Sequence, residues 1–369
     1  MTCHSPAPFR IFVSEYVAGG AWPEGIPEGS LAREGSAMLH AIVEDLASLP
    51  GVEVHTTWDQ RLGLPPWSRA GSATRPSALL RVSEVQGPSE EWEQFTELAS
   101  LADAVLIIAP EFDQLLERRS DWVASRGIPL LGSSPGAVAL CADKWKLALH
   151  FEALGIPTIS TSLCDLAGEP TTEPGWPRVI KPRFGAGSTS TFLLHSPPEQ
   201  TMLAGHLADE PLLNAAIVQP FVRGEPASVA VVCRGDGQGC LPLPPARQCL
   251  SSDGRFHYLG GELPFLSPIA AQAQEIARLA CLAVRGLRGF VGVDLLVDEE
   301  SGRVTVVEIN PRLTTSYLGY RQLLADAADS EGVVSGGSVL ARALLWPENA
   351  SNPLRFRNSP TLRFQPAHS

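Results

Sequence analysis

The chain has 369 residues, 44% of them hydrophobic and 18% charged, a balance that gives a sizeable buried core in two or three lobes and excludes a disordered chain. Its net charge of −12 argues against a general nucleic-acid binder, which needs a positive face to displace counterions, but leaves a nucleotide substrate open. No apolar stretch approaches the roughly 18 residues that span a bilayer, and the apolar run after Arg10 is broken at Glu15, too early for a signal peptide. A cytoplasmic location with no membrane or nucleic-acid partner is therefore expected. The seven cysteines are odd in number and form no CxxC pair, so neither a disulfide framework nor structural zinc is expected. Cys233, Cys240 and Cys249 with His257 are too loosely spaced for a metal cluster and read as small hydrophobes. Of 28 basic residues only Lys144, Lys146 and Lys181 are lysines. A compact ammonium does not interchange with a guanidinium, which draws attention to Lys144 and Lys181; Lys146 reads as an exposed helix residue.

In chain order, residues 10–16 read as a buried strand, 17–29 as a glycine-rich loop, and the segment from Ser30 as a helix with Leu31, Gly35, Met38, Ile42, Leu46 and Leu49 at helical spacing. Strands at 52–56, 78–82 and 104–109 and a helix at 89–101 follow, with an irregular Pro-, Gly- and Ser-rich connection at 62–77. Strands alternating with helices predict an open parallel sheet with helices on both faces. Its ligand crevice should lie at the carboxyl ends of the strands, where Glu15, Tyr16, Gly19, Gly20 and Glu111 fall.

Near Pro135 the character changes. Asp143 can cap a helix over 144–154, which Gly155 ends. Short strands at 178–181, 190–194 and 216–219, with a helix over 197–207, predict a small α+β lobe. More strands, a helix over 268–286, a β-hairpin and two short helices (317–327 and 337–345) complete the fold. The expected organisation is an N-terminal α/β domain (1–134), a small lobe (135–222), a C-terminal lobe (223–348) and a loosely held tail (349–369).

The hairpin carries the strongest signal. A tight turn over Glu300, Ser301 and Gly302, with Ser301 at its centre, puts Asp294 opposite Glu308. Asn310 then lies on the same face two residues on. Leu296 and Val306 share that face, while Leu295, Val307 and Ile309 point away. Opposed carboxylates repel across a sheet, and a hard cation between them reverses the sign. The all-oxygen set suits Mg²⁺. A second signal is the strand ending at Lys181, followed by a small-residue loop. Gly185 and Gly187 let backbone N–H groups approach phosphate oxygens, and Ser188 and Thr189 add hydroxyls. A third is Gln219, Pro220, Phe221 and Val222, a hinge whose backbone could bond an adenine edge between apolar walls.

These features in this order, with Lys144 at a helix start ahead of them, resemble the ATP-grasp superfamily over about half of the chain. The resemblance implies an ATP-grasp fold behind the N-terminal parallel domain. It implies ATP and Mg²⁺ as cofactors, with two ions expected and Mn²⁺ an alternative. Lys144 and Lys181 would contact the ATP phosphates, the loop of Gly185, Gly187 and Ser188 would close over them, and Gln219 to Val222 would hold the adenine. Asp294, Glu308 and Asn310 would bind the metal, and Arg312 would sit beside the transferred phosphoryl group, with Lys181 as the other catalytic cation. Pro226 stands where the family has a ribose-binding glutamate, which leaves Glu225 as the substitute. Gly292 stands where several peptide-type ligases carry an arginine, which counts against D-alanine–D-alanine ligation.

The segment from Ser14 to Gly20, Glu34–Gly35, and Asn310 to Ser316 resemble the tyramine–glutamate ligase group of methanofuran-type one-carbon cofactor synthesis. That resemblance places substrate at Glu15, Tyr16, Gly19 and Gly20. The function implied is amide formation through an acyl phosphate from small-molecule carboxylate and amine substrates, with a homodimer compatible. The alternatives are a ligase for another amino-acid or peptide carboxylate, and a non-catalytic ATP-binding regulator.

Overall fold

The computed structural model describes residues 7–23, 25–68, 79–166, 168, 175–234, 239–329, 332–345, 354–357 and 361–365. The first unit contains β1 (Phe9–Glu15), α1 (Gly29–Ala47), β2 (Val52–Asp59), β3 (Leu80–Val85), α2 (Pro88–Leu101), β4 (Ala104–Ile108) and α3 (Leu115–Ala124). Its four strands are parallel, in the order β3-β2-β1-β4. Alternation along β1 sends Ile11 and Val13 into a core with α1 residues Met38, Leu39, Ile42 and Leu46. Phe12 goes to the opposite face, against Phe95 of α2 and Leu116 and Val123 of α3. Helices therefore cover both faces, as a parallel sheet requires. The expected loop at 17–29 begins with a single wide helical turn, Val17–Ala21. Residues 69–77 of the expected irregular connection lie outside the described residues.

Two consecutive helices lead onward, α4 (Pro135–Ala142) and α5 (Lys144–Ala153). The first was not foreseen, although Ser134 caps it, accepting from the Ala137 N–H, and Pro135 occupies its first turn. Asp143 caps the second by accepting from the Lys146 N–H at 3.1 Å. Next comes a four-stranded antiparallel sheet of β5 (Ser162–Cys164), β6 (Arg178–Pro182), β7 (Phe192–Leu194) and, after α6 (Pro197–Ala204), β8 (Ala216–Pro220). Its order is β5-β8-β6-β7.

The largest sheet has seven strands: β9 (Glu225–Arg234), β10 (Cys240–Pro242), β11 (Ala246–Leu250), β12 (Tyr258–Leu263), then, after α7 (Ala270–Ala283), β13 (Arg288–Asp298) and β14 (Arg303–Asn310), and finally β17, described below. Val291, Val293, Leu295 and Val297 of β13 enter one core with Val229 and Val231 of β9 and Ala273, Ala277 and Ala280 of α7. On the other face of β13, Phe290 joins the main core, and Asp294 and Leu296 border the cleft. Beyond the hairpin lie α8 (Tyr317–Leu323), the small pair β15 (Ala327–Asp329) and β16 (Gly332–Val334), and α9 (Gly336–Leu345). Tyr317 and Tyr320 join the α1 core, and the Arg321 guanidinium clasps Asp45 of α1 at 2.6 and 2.8 Å. Apolar packing and this ion pair fasten the first unit to the last.

The tail departs from expectation. Its residues Leu362–Phe364 form β17, an antiparallel edge strand on β12, and Phe364 is buried in the main core. An unpaired edge presents open N–H and C=O groups, and Leu362 and Phe364, alternating with Arg363, supply the matching apolar face. Phe364→Ala should therefore cost about 3–5 kcal/mol, as for other buried aromatics. A thermal melt that left the Tm of this variant unchanged would show the strand to be dispensable.

Candidate functional site

A cleft of about 640 Å³ opens between the seven-stranded and four-stranded sheets. Lys144, Lys181, Gly185, Gly187, Ser188, Gln219, Pro220, Phe221, Val222, Glu225, Asp294, Glu308, Asn310 and Arg312 all border it.

At its floor Asp294 faces Glu308 across the β13–β14 ladder, with Asn310 two pairs further on, opposite Gly292. The register slips immediately afterwards: Leu295 pairs with Val306, leaving Val307 as an extra residue in β14. This bulge overturns part of the expected side-chain alternation. Val306 joins Leu295 in the core, whereas Val307 turns toward the cleft with Leu296. The end that carries Asp294, Glu308 and Asn310 keeps its predicted phase because the bulge lies on the turn side of Glu308.

The acidic pair is half-buried at the cleft floor, the Glu308 side chain 20% exposed, and its two members are treated differently. Burial and the facing Glu308 push the Asp294 carboxyl up, against hydrogen bonds from Asn310 and Gln248. These arrive at 3.1 and 2.9 Å. Glu308 is also penalised by burial, but Lys144, Lys181 and Arg312 together hold it well below the usual carboxylate range. The Lys144 ammonium bonds Glu308 at 2.8 Å and the Gly185 carbonyl at 3.0 Å, tying the floor to the glycine loop. Burial would lower Lys144, and Glu308, Glu111 and Asp294 more than offset it. Lys181 is only 8% exposed. Burial lowers it to about 8, Glu308 and Asp294 resisting and Lys144 assisting.

A donor set of two carboxylates and one amide oxygen, surrounded by cations, fits a hard divalent ion that keeps phosphate and water oxygens in its shell. Among the described residues no cluster of three or more His, Cys, Asp or Glu has metal-binding spacing, including the cysteines near His257.

The loop above is set by its backbone. Gly187, Ser188 and Ser190 all have φ between 52° and 66°, a conformation that L-residues adopt at some cost. Arg183 anchors the loop base through two bonds to Asp143, at 2.8 and 2.6 Å. The α5 cap and the loop therefore share one carboxylate. At the hinge, the Gln219 amide donates to Thr161 at 2.8 Å, and the Phe221 N–H donates to the Pro177 carbonyl at 3.0 Å. Glu225 lies at the rim, paired with Arg247 at 3.1 Å. Arg312 reaches back to Glu111 at the end of β4, at 2.9 and 3.0 Å.

Comparison with known proteins agrees with this geometry. The family described as ATP-grasp domain matches residues 141–316, and the pre ATP-grasp 3 domain matches residues 52–138. The chain belongs to the ATP-grasp superfamily. It is similar to the tyramine–L-glutamate ligase of Methanocaldococcus fervens, 28% identical over 59% of this chain and 62% of that protein. It is also similar to a D-alanine–D-alanine ligase of Pseudomonas putida, 28% identical over 50% of this chain and 58% of that protein. The chain thus spans about three fifths of the length of these relatives. A solved ATP-grasp superfamily protein from Archaeoglobus fulgidus superposes with a TM-score of 0.64, at 24% identity, covering 90% of this chain and 88% of that one. The fold is ATP-grasp, with a parallel pre-ATP-grasp sheet ahead of it.

Four expected substrate residues are not among those bordering this ATP-grasp cleft. Glu15, Tyr16, Gly19 and Gly20 lie at the end of β1 and in the wide turn that follows it. The Glu15 carboxylate folds inward and accepts the N–H groups of Ala18, Val17 and Gly19. It presses on α1 so closely that a Cβ at Gly35 would lie 2.5 Å from its oxygen. Tyr16 packs against Arg119, whose guanidinium lies 5.1 Å from the ring and pairs with Glu91. Residues Val17 to Ala21 are all buried, so the leading N–H groups of the turn need an acceptor within the protein, and the acid closes the turn. Conversely, sequence reasoning missed Gln248, Tyr258 and the cleft position of Glu34. Gln248 stands in a strand of mixed polarity without any spacing signal, and only the pairing of β11 beside β9 brings it to Asp294.

Burial pushes the Glu15 carboxyl up to about 7, against the three N–H donors and Arg119. The folded state then holds a proton that the unfolded chain releases near 4.5, so stability attributable to this group falls as pH rises from 4.5 to about 7. Urea melts across that window should show a shallower pH slope for Glu15→Gln than for the parent; identical slopes would assign the dependence to other groups.

Proposed function

We propose that this chain is an ATP- and magnesium-dependent carboxylate–amine ligase. The observation that carries the reading is the register pairing of Asp294 with Glu308, with Asn310 beside them, at the floor of a cleft that also holds Lys144, Lys181 and a glycine loop. In this reading Asp294, Glu308 and Asn310 hold the metal, which when bound neutralises phosphate charge. Lys144 and Lys181 flank the phosphates under the loop, Phe221 and Val222 with the hinge backbone take the adenine, and Glu225 is the ribose-side acid.

A substrate carboxylate oxygen attacks the γ-phosphorus, the bond to the β-phosphate oxygen breaks, and acyl phosphate and ADP result. The amine nitrogen then attacks the acyl carbon, phosphate departs, and the nitrogen gives up its proton. The chain supplies position and charge rather than a nucleophile. Arg312, fixed by Glu111, would neutralise the oxygens of the transferring group, and closing of the loop over residues 184–189 would keep water from the acyl phosphate. Small-molecule substrates follow from this chemistry.

For the substrates, we favour glutamate and an amine such as tyramine, in line with the archaeal relative. D-Alanine ligation is disfavoured at Gly292. A Cβ there would lie 2.8 Å from the Thr314 side chain, so the site as built has no room for the arginine of peptide-type ligases.

ADP release that requires both a carboxylate and an amine, screened first with glutamate and tyramine, tests the reading; tight ATP binding without turnover under every pairing would point to a non-catalytic ATP-binding protein. Asp294→Asn and Glu308→Gln should each lower kcat by at least about a hundredfold with little loss of Tm. Near-normal ligation in either would remove the metal assignment. Lys181→Arg should also lose most activity, because the buried site fits a point cation and not a planar fork; retained kcat would show that charge alone suffices.

A further inference from the structure

One carboxylate on the cleft wall stands outside the charge balance described so far. Of the four acids that border the cleft, Asp294 accepts from Asn310 and Gln248, Glu308 from Lys144, and Glu225 pairs with Arg247. The fourth, Glu34 of α1, has no hydrogen bond or ion pair among the described residues. It enters the cleft from the N-terminal unit and shares the wall with Arg312, Tyr258, Thr314, Thr315 and Ser316. Burial pushes its carboxyl up, and the charges of Arg312 and Arg33 offset this only in part. Arg312, whose charge acts on it more strongly than that of Arg33, is already committed to Glu111.

We propose that Glu34 is the counter-ion for a primary ammonium group carried by a substrate of this cleft. The proposal rests on the ligase reading and names the recognition chemistry at the end of the site away from the nucleotide hinge. Glu34 is half-buried on the cleft wall, so its carboxylate is only partly hydrated and lacks a partner, and an occupant that is anionic or neutral would complete its desolvation without compensating it. An ammonium supplies three donors and the opposite charge. The neighbouring hydroxyls suit the remaining polar atoms of a small zwitterion: Tyr258, which bonds Thr315, and Thr314 with Ser316, which bond each other at 2.9 Å. The position also sets direction. With the ammonium at Glu34, the rest of the molecule extends past Arg312 toward the Asp294–Glu308 floor, where a phosphoryl group would be transferred. Two molecules could bring such a group: an amino acid as the carboxylate substrate, or the incoming amine before it loses its proton.

The test uses the full chain with ATP and Mg²⁺, tyramine as the amine, and either glutamate or glutarate, the same dicarboxylate without the ammonium. If the amino acid carries the recognised group, Glu34→Gln lowers kcat/KM for glutamate by at least about tenfold, mainly through KM, and leaves glutarate unchanged. If the amine carries it, the loss appears with both acids and as a raised KM for tyramine. Glu34→Asp should recover part of the loss in either case. Because the carboxylate is unpaired, the Tm of Glu34→Gln without substrates should equal or exceed that of the parent, which separates recognition from a folding role. A Glu34→Gln enzyme within about twofold of the parent for every pairing would overturn the proposal. A parent that releases no ADP with any pairing overturns the ligase reading instead. Calorimetric binding of glutamate and of tyramine to parent and Glu34→Gln then still decides the assignment of Glu34: equal binding rejects it, and weaker binding of one ligand by the variant supports it.

Discussion

Two carboxylates held opposite each other across a β-ribbon, half-buried in a cleft, cannot both carry charge without nearby positive partners. That constraint organises the rest of the cleft. Glu308 keeps its charge because Lys144 lies 2.8 Å away, and Lys144 in turn also holds the Gly185 carbonyl of the loop. Asp294 takes two amide donors in place of a cation, from Asn310 and Gln248. The result is a site whose lysines, loop and floor are electrostatically one unit, although they come from α5, the four-stranded sheet and the seven-stranded sheet. A divalent ion with the phosphates it escorts would satisfy the same acids more completely than the amides do.

Much of this was legible in the residues. Alternation with period two and a three-residue turn are enough to oppose Asp294 and Glu308, because the pairing of a hairpin follows from its turn. The scarcity of lysine pointed to Lys144 and Lys181 for a chemical reason, and the Asp143 cap fixed where α5 starts. The parallel first sheet followed from strands alternating with helices. What stayed hidden depended on long-range packing. The Val307 bulge leaves no local mark, yet it reverses the facing of Val306 and Val307. Gln248 reaches the site only because β11 lies beside β9. Leu362–Phe364 falls in the segment expected to be a loosely held tail, and only the free edge of β12 makes it a strand.

Glu15 is the instructive failure. A carboxylate at the end of a parallel strand lies where ligands bind in open α/β sheets, which is the basis for expecting substrate there. The wide turn that follows β1 exposes several N–H groups in a dry environment, and the nearest acceptor is that same carboxylate. The need to satisfy backbone donors outweighed the positional rule. Glu34, on the next helix, carries a carboxylate that no backbone group claims.

The pairing of Arg312 with Glu111 has a mechanical implication. The guanidinium follows β14 of one sheet, while the acid that orients it follows β4 of another. The N-terminal unit is thus a bracket for a charge that faces the cleft, as well as one of its walls. A small tilt of that unit would alter the aim of the guanidinium without moving either acid on the floor, so the hydrophobic seam of α1 against α8 and α9 works as an alignment joint as much as a source of cohesion.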